Sequence, residues 1–92
     1  MVIVEEASEL LFGRYRALAI YAAIARLPKP EFTTGQIGAL TGIPNPVVSK
    51  ELARLVTLGV IDGVSRRGDY ERRDAGPFWE GVSRLADWFE DG

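Results

Sequence analysis

The stretch Thr33-Thr34-Gly35-Gln36-Ile37-Gly38-Ala39-Leu40-Thr41-Gly42-Ile43-Pro44-Asn45-Pro46-Val47-Val48-Ser49-Lys50-Glu51-Leu52-Ala53-Arg54-Leu55-Val56-Thr57-Leu58-Gly59 decides how the rest of the chain is read. It has the signals of two helices joined by a tight turn. Thr33 with Gln36 has capping-box spacing, so a short helix is expected over about 34–40. Gly42 stands where that helix must stop, because glycine tolerates the left-handed conformation common at helix ends. Asn45 is expected to cap the second helix, with Pro46 at its first position, where a missing N–H costs nothing. Gly59 closes the second helix as Gly42 closes the first. A short helix, a brief turn and a second capped helix make a helix-turn-helix candidate.

The second helix, about 46–58, separates into two faces. Val48, Leu52, Leu55 and Val56 fall within roughly 100° of arc and are expected in a core. Opposite them lie Pro46, Lys50, Ala53, Arg54 and Thr57, with Ser49 at one edge and Glu51 toward the other flank. This outer face is small, hydroxylated and cationic. An ordinary solvated face fits the same residues. In the first helix Ile37 and Leu40 are expected to point inward, and Gly38 to let the two helices cross closely.

Upstream, Gly13 to Leu27 is dense in helix formers without interior breakers. Its apolar residues surround the axis: Ile20, Ile24 and Leu27 form one ridge, while Leu18 and Tyr21 point elsewhere. Such a helix is expected to be buried on two sides, the second being another copy of the chain. Pro28, Lys29 and Pro30 end it and hold the backbone extended, with Phe32 anchoring the loop. Residues 1–12 read as a separate N-terminal arm, a short strand or an irregular segment followed by a helical turn capped by Ser8, and 13–92 as one domain.

Downstream of Gly59 the periodicity shortens. Val60, Ile61 and Val64 suggest a strand, R-R-G-D a turn, and Tyr70 to Arg73 a returning strand. Arg66 and Arg67 at the tip suit phosphate or minor-groove contact. A solubilising tip diluted by Asp69, Glu71 and Asp74 is the alternative. The last helix, about 77–90, carries a stripe of Phe78, Val82, Leu85 and Phe89, widened by Trp79 and Ala86. Trp88 points away from that stripe, and so many aromatics on one terminal helix imply an interface, the alternative being aromatics that cap the domain's own core, which leaves Trp88 unexplained. A homodimer surface built from Ile20, Ile24, Trp79, Trp88 and Phe89 is expected.

Ninety-two residues without cysteine or histidine make one small domain with no disulfide, thiolate metal site or imidazole chemistry. No acid, base and nucleophile converge and no glycine-rich phosphate loop is present, so an enzyme is not expected, nor a cofactor or metal. No apolar run approaches a membrane span. The opening M-V-I-V-E-E turns acidic too early for a signal peptide, so a cytoplasmic location is expected. The net charge of −2 is unevenly spread: residues 13–75 hold ten basic against six acidic side chains, while both ends are acidic. A basic middle suits a DNA-binding surface, with an ordinary mixed surface as the alternative.

In the order helix, helix-turn-helix, β-hairpin, helix, the chain resembles the winged helix-turn-helix regulators of the ArsR and MarR type. Ile37-Gly38 stands where such sequences usually have Leu-Ala, and Thr41-Gly42-Ile43 matches their turn. Pro44 to Leu52 stands for their S-x-S-T-V-S-R-H-L, and Leu55-Val56-Thr57-Leu58-Gly59-Val60-Ile61 for their L-x-x-L-G-L-I exit into the wing. The resemblance covers about 13–89. It implies a mainly α fold with a small β-hairpin and a homodimer that binds double-stranded DNA to regulate, and more often repress, transcription. It places the second helix in the major groove, with Asn45, Pro46, Ser49 and Lys50 nearest the bases and Lys50 suited to guanine O6 and N7. Arg54 then meets phosphate, Thr34 and Gln36 donate to the DNA backbone, and Arg66 and Arg67 serve as wing contacts. A winged helix that binds another protein, through Trp79 and Trp88, is the alternative.

Overall fold

The computed structural model describes residues 16–64, 69–74 and 76–91. The expected N-terminal arm and the arginine tip of the hairpin lie outside these residues. Four helices are described: α1 (Ala17–Ala25), α2 (Thr34–Thr41), α3 (Asn45–Leu58) and α4 (Phe78–Asp91). Three short strands join them: β1 (Glu31–Thr33), β2 (Ile61–Gly63) and β3 (Asp69–Arg72). The fold is mainly helical with a small antiparallel sheet of order β1-β3-β2.

The punctuation glycines act as their positions require. Gly42 and Gly59 end α2 and α3 with φ of 72° and 79°, where a β-carbon would be strained. Thr33 caps α2, its hydroxyl accepting from the Gln36 amide at 3.1 Å. Gly38 sits where α2 crosses α3: a β-carbon there would collide with Asn45 Oδ1 and lie 3.2 Å from the Ile43 carbonyl oxygen.

Five expectations need correction. First, α1 begins at Ala17 rather than at Gly13: Arg16, at its cap position, has a φ of 69°, outside the right-handed helical region. Second, Asn45 is the first helical residue of α3 rather than its cap. Pro44 occupies the cap position, and its carbonyl accepts from Val47 and Val48 at 3.0 and 3.1 Å. Third, the extended segment after Pro30 is a strand as well as a tether. Glu31, Phe32 and Thr33 pair with Glu71, Tyr70 and Asp69, giving three strands where two were expected. Fourth, Leu40, Val56 and Val64 are exposed, Leu40 at 60%. The helix α2 is too short to bury more than its Ile37 side, and β2 ends at Gly63. Fifth, Ile20, Ile24 and Trp79 lie inside the protomer rather than on an outer surface.

That last point follows from how the core is assembled. α1 packs against both α2 and α4, so its two apolar sides are covered within one chain. Leu18, Ile20, Tyr21 and Ile24 are buried with Phe32, Ile37, Ile43, Val48, Leu52, Leu55, Ile61, Trp79 and Val82. Trp79 donates from Nε1 to the Val60 carbonyl at 2.9 Å, so its polar edge is satisfied inside. Phe32 and Tyr70 stack across the β1–β3 pair with centroids 5.8 Å apart.

The two faces of the sheet differ in chemistry because side chains alternate along each strand. Phe32, Tyr70, Ile61 and Arg72 share the inner side. Arg72 Nη1 donates to the carbonyls of Ile24 (2.7 Å), Ala25 (3.3 Å) and Leu27 (3.0 Å). It thereby satisfies the terminal carbonyls of α1 and places a cation at the negative end of its dipole. On the other side, Glu31, Glu71 and Asp62 stand opposite one another in a single acidic row. Arg73 relieves this row, donating from Nε and Nη2 to both oxygens of Asp62 at 2.6 Å. Hydrogen bonding to Arg73 holds the Asp62 carboxyl below the usual range and raises Arg73 in turn.

Candidate nucleic-acid interface

The apolar spacing of α3 dictates which side it presents. Val48, Leu52 and Leu55 are fully buried, which turns Pro46, Ser49, Lys50, Ala53, Arg54 and Thr57 outward, and all six are exposed. No other described element packs over this outer face. Its amide end is defined by the Pro44-Asn45-Pro46 entry, and Thr57 returns its hydroxyl to the Ala53 carbonyl at 3.0 Å. The surface is therefore narrow, with Lys50 and Arg54 a helical turn apart and small residues between them. An open hollow beside it is lined by Ala53, Arg54, Thr57 and Leu58.

The remaining site residues divide. Gln36 is exposed and Thr34 half-buried at the start of α2. Asn45 is exposed, yet its amide oxygen occupies the space beside Gly38, so part of its side chain is spent on the α2–α3 crossing. Arg66 and Arg67 lie outside the described residues. Arg72 and Arg73, the other arginines of the hairpin, are committed to α1 and to Asp62. The outer side of the sheet is acidic and would repel a phosphate backbone. Among the described residues, the face bearing Lys50 and Arg54 on α3 is the expected contact surface that stays uncovered.

One constellation on α3 escaped the sequence reading. Glu51 is 4% exposed, the one charged residue buried among the described residues. Its Oε2 accepts from the Tyr21 hydroxyl at 2.8 Å, and its Oε1 from Arg54 Nη1 at 2.5 Å. The signal was present in two forms. Glu51 and Arg54 are spaced i, i+3, and Glu51 lies only ~40° around the helix from core-facing Leu55. Its partner Tyr21 is 30 residues away in sequence, and no local pattern reveals that pairing.

The expected dimer surface is reduced to part of one helix. Phe89 is half-buried, whereas Trp88 is 74% exposed. Arg84 and Glu80 pair at 2.7 Å on the exposed side of α4, and Asp87 pairs with Arg26 of α1 at 2.8 Å. Among the described residues, no group of His, Cys, Asp and Glu could hold a metal ion. No described helix is long and apolar enough to cross a membrane.

Comparison of the chain with protein-family models, curated proteins and solved structures found no match to any of them.

Proposed function

We propose that this chain is a winged helix-turn-helix regulator that binds specific sequences in double-stranded DNA as a homodimer, repressing rather than activating. The observation that carries this reading is the outer face of α3, which is uncovered along its length and bears Ser49, Lys50, Arg54 and Thr57. A helix about 10–12 Å across fits a major groove about 12 Å wide. The β2–β3 hairpin that follows the helix pair, extended by β1 ahead of it in the order β1-β3-β2, is compatible with a wing beside the reading head. Lys50 then addresses guanine edges and Arg54 the phosphates. The dimer seam is drawn from the Trp88 side of α4, spacing two α3 helices by about one DNA turn, ~34 Å.

The test is selection from random duplexes followed by salt titration of the enriched site. A pseudo-palindromic site is expected, with affinity falling steeply as salt rises through counterion release. Lys50→Ala should relax base preference at one position of each half-site. Failure to enrich any site, with only monomer in light scattering, rejects the reading. A second reading has its own observation: Trp88, Leu58 and Leu40 are all largely exposed, which suits a winged helix that binds another protein. On that reading Trp88→Ala abolishes function and Lys50→Ala leaves it intact.

A further inference from the structure

We propose that Tyr21 and Glu51 are positioning residues that aim the Arg54 guanidinium at a phosphate of bound nucleic acid. The proposal rests on the DNA reading above and assigns a role to two residues that reading does not use.

A small core favours apolar residues, and burying a carboxylate is costly unless it is paired and hydrogen-bonded. Glu51 is buried and is held from both sides. One oxygen takes the Tyr21 hydroxyl from α1, the other takes Arg54 Nη1 from the outer face of its own helix. Tyr21 is itself 3% exposed, so the relay starts in the core and ends at the surface. The Arg54 side chain is about half exposed, at 50%. A guanidinium has five N–H donors in a rigid plane, and one of these goes to Glu51. With Nη1 held by Glu51, the remaining donors of the half-exposed guanidinium stay available for the fork that suits a phosphate. An arginine held in this way loses less side-chain freedom on contact than a free one.

Bulk electrostatics and the relay make opposite predictions for the same change. Glu51→Gln removes a negative charge from a DNA-facing helix, which on charge alone strengthens binding. The relay requires that it weakens binding, since Arg54 exchanges a carboxylate anchor for a weaker, uncharged one. Tyr21→Phe removes only a buried hydroxyl and should act in the same direction.

The experiment is a double-mutant cycle on the full chain, reading affinity for the selected duplex by fluorescence anisotropy at two salt concentrations. Tyr21→Phe and Glu51→Gln should each weaken binding about five- to tenfold in the wild-type background, and by less than about twofold in an Arg54→Ala background. Arg54→Lys, which keeps a point charge without the fork, should not restore the coupling. Thermal melts of each variant accompany the cycle. NMR of the Arg54 side chain in the free protein gives a DNA-independent arm, in which Glu51→Gln should increase its mobility. Equal losses in both backgrounds show that the two residues merely support the fold, and overturn the proposal. So does stronger binding by Glu51→Gln, or an Arg54 equally mobile in wild type and variant. Failure of the wild-type chain to bind any duplex is a separate result, which rejects the DNA reading and the relay's target with it.

Discussion

Replacing Gly38 by alanine tests whether α2 and α3 cross as closely as described. In an open helix this change stabilises by about 0.8–1.0 kcal/mol, because alanine has less backbone entropy to lose. At Gly38 the added methyl meets Asn45 Oδ1 and stands 3.2 Å from the Ile43 carbonyl oxygen. The amide belongs to an exposed side chain and can turn away, but the carbonyl is backbone and must shift by a few tenths of an ångström. Overpacking of this kind costs about 1–3 kcal/mol. The helix gain offsets part of that cost, leaving a net loss of about 1 kcal/mol. For a domain of this size that lowers Tm by about 4–8 °C. Gly81 supplies the control: it is also helical, and a β-carbon there has no neighbour within 4 Å. Gly81→Ala should therefore stabilise by about 0.5–1 kcal/mol. Thermal and urea denaturation of both variants read the difference, and adding Asn45→Ala to Gly38→Ala should recover part of the loss. If Gly38→Ala raises Tm as Gly81→Ala does, the close crossing is refuted.

Arg72→Met keeps most of the stem but removes the donor to three carbonyls at the end of α1, and should cost about 2–3 kcal/mol by urea denaturation; a loss below about 0.5 kcal/mol refutes the cap. Asp62 should contribute to acid sensitivity. Its carboxyl is held low by Arg73, so its contribution is present above the ordinary carboxylate range and is lost as pH falls through the lowered folded value. Asp62→Asn should therefore flatten part of the acid limb of the stability curve, and an unchanged limb refutes the pairing in solution. Trp88→Ser should leave folding within about 0.5 kcal/mol of wild type, since that side chain is exposed. Light scattering of the same variant should show loss of the proposed dimer, and a dimer that persists moves the seam elsewhere.

The helix-turn-helix stretch was legible residue by residue, because its signals act within a few positions. Gly42 and Gly59 adopt the left-handed conformation that only glycine takes easily, and the Thr33 hydroxyl caps the helix it precedes. The faces of α3 followed from side-chain period alone, with Val56 the exception at the edge of the arc. Even there the local rule had limits: Asn45 had the chemistry of a cap, but Pro44 occupies the cap position, one residue earlier than the sequence signals indicated.

What the sequence by itself determined is this set of short-range choices: where helices stop, which side of α3 is apolar, and that the chain turns back as a hairpin after Gly59. Tertiary structure alone decided which apolar surfaces are already satisfied. The ridge of Ile20 and Ile24 and the indole of Trp79 looked surplus in a linear pattern, yet α1 is sandwiched between α2 and α4 in the same chain. It also made β1 a strand, since three residues pair only when β3 is brought beside them. The Tyr21–Glu51–Arg54 relay belongs to the same class. Helical periodicity places a carboxylate at the edge of a core, but only packing delivers the phenol from 30 residues away to receive it. The uncovered outer face of α3 was thus visible in the sequence, and its wiring to the core was not.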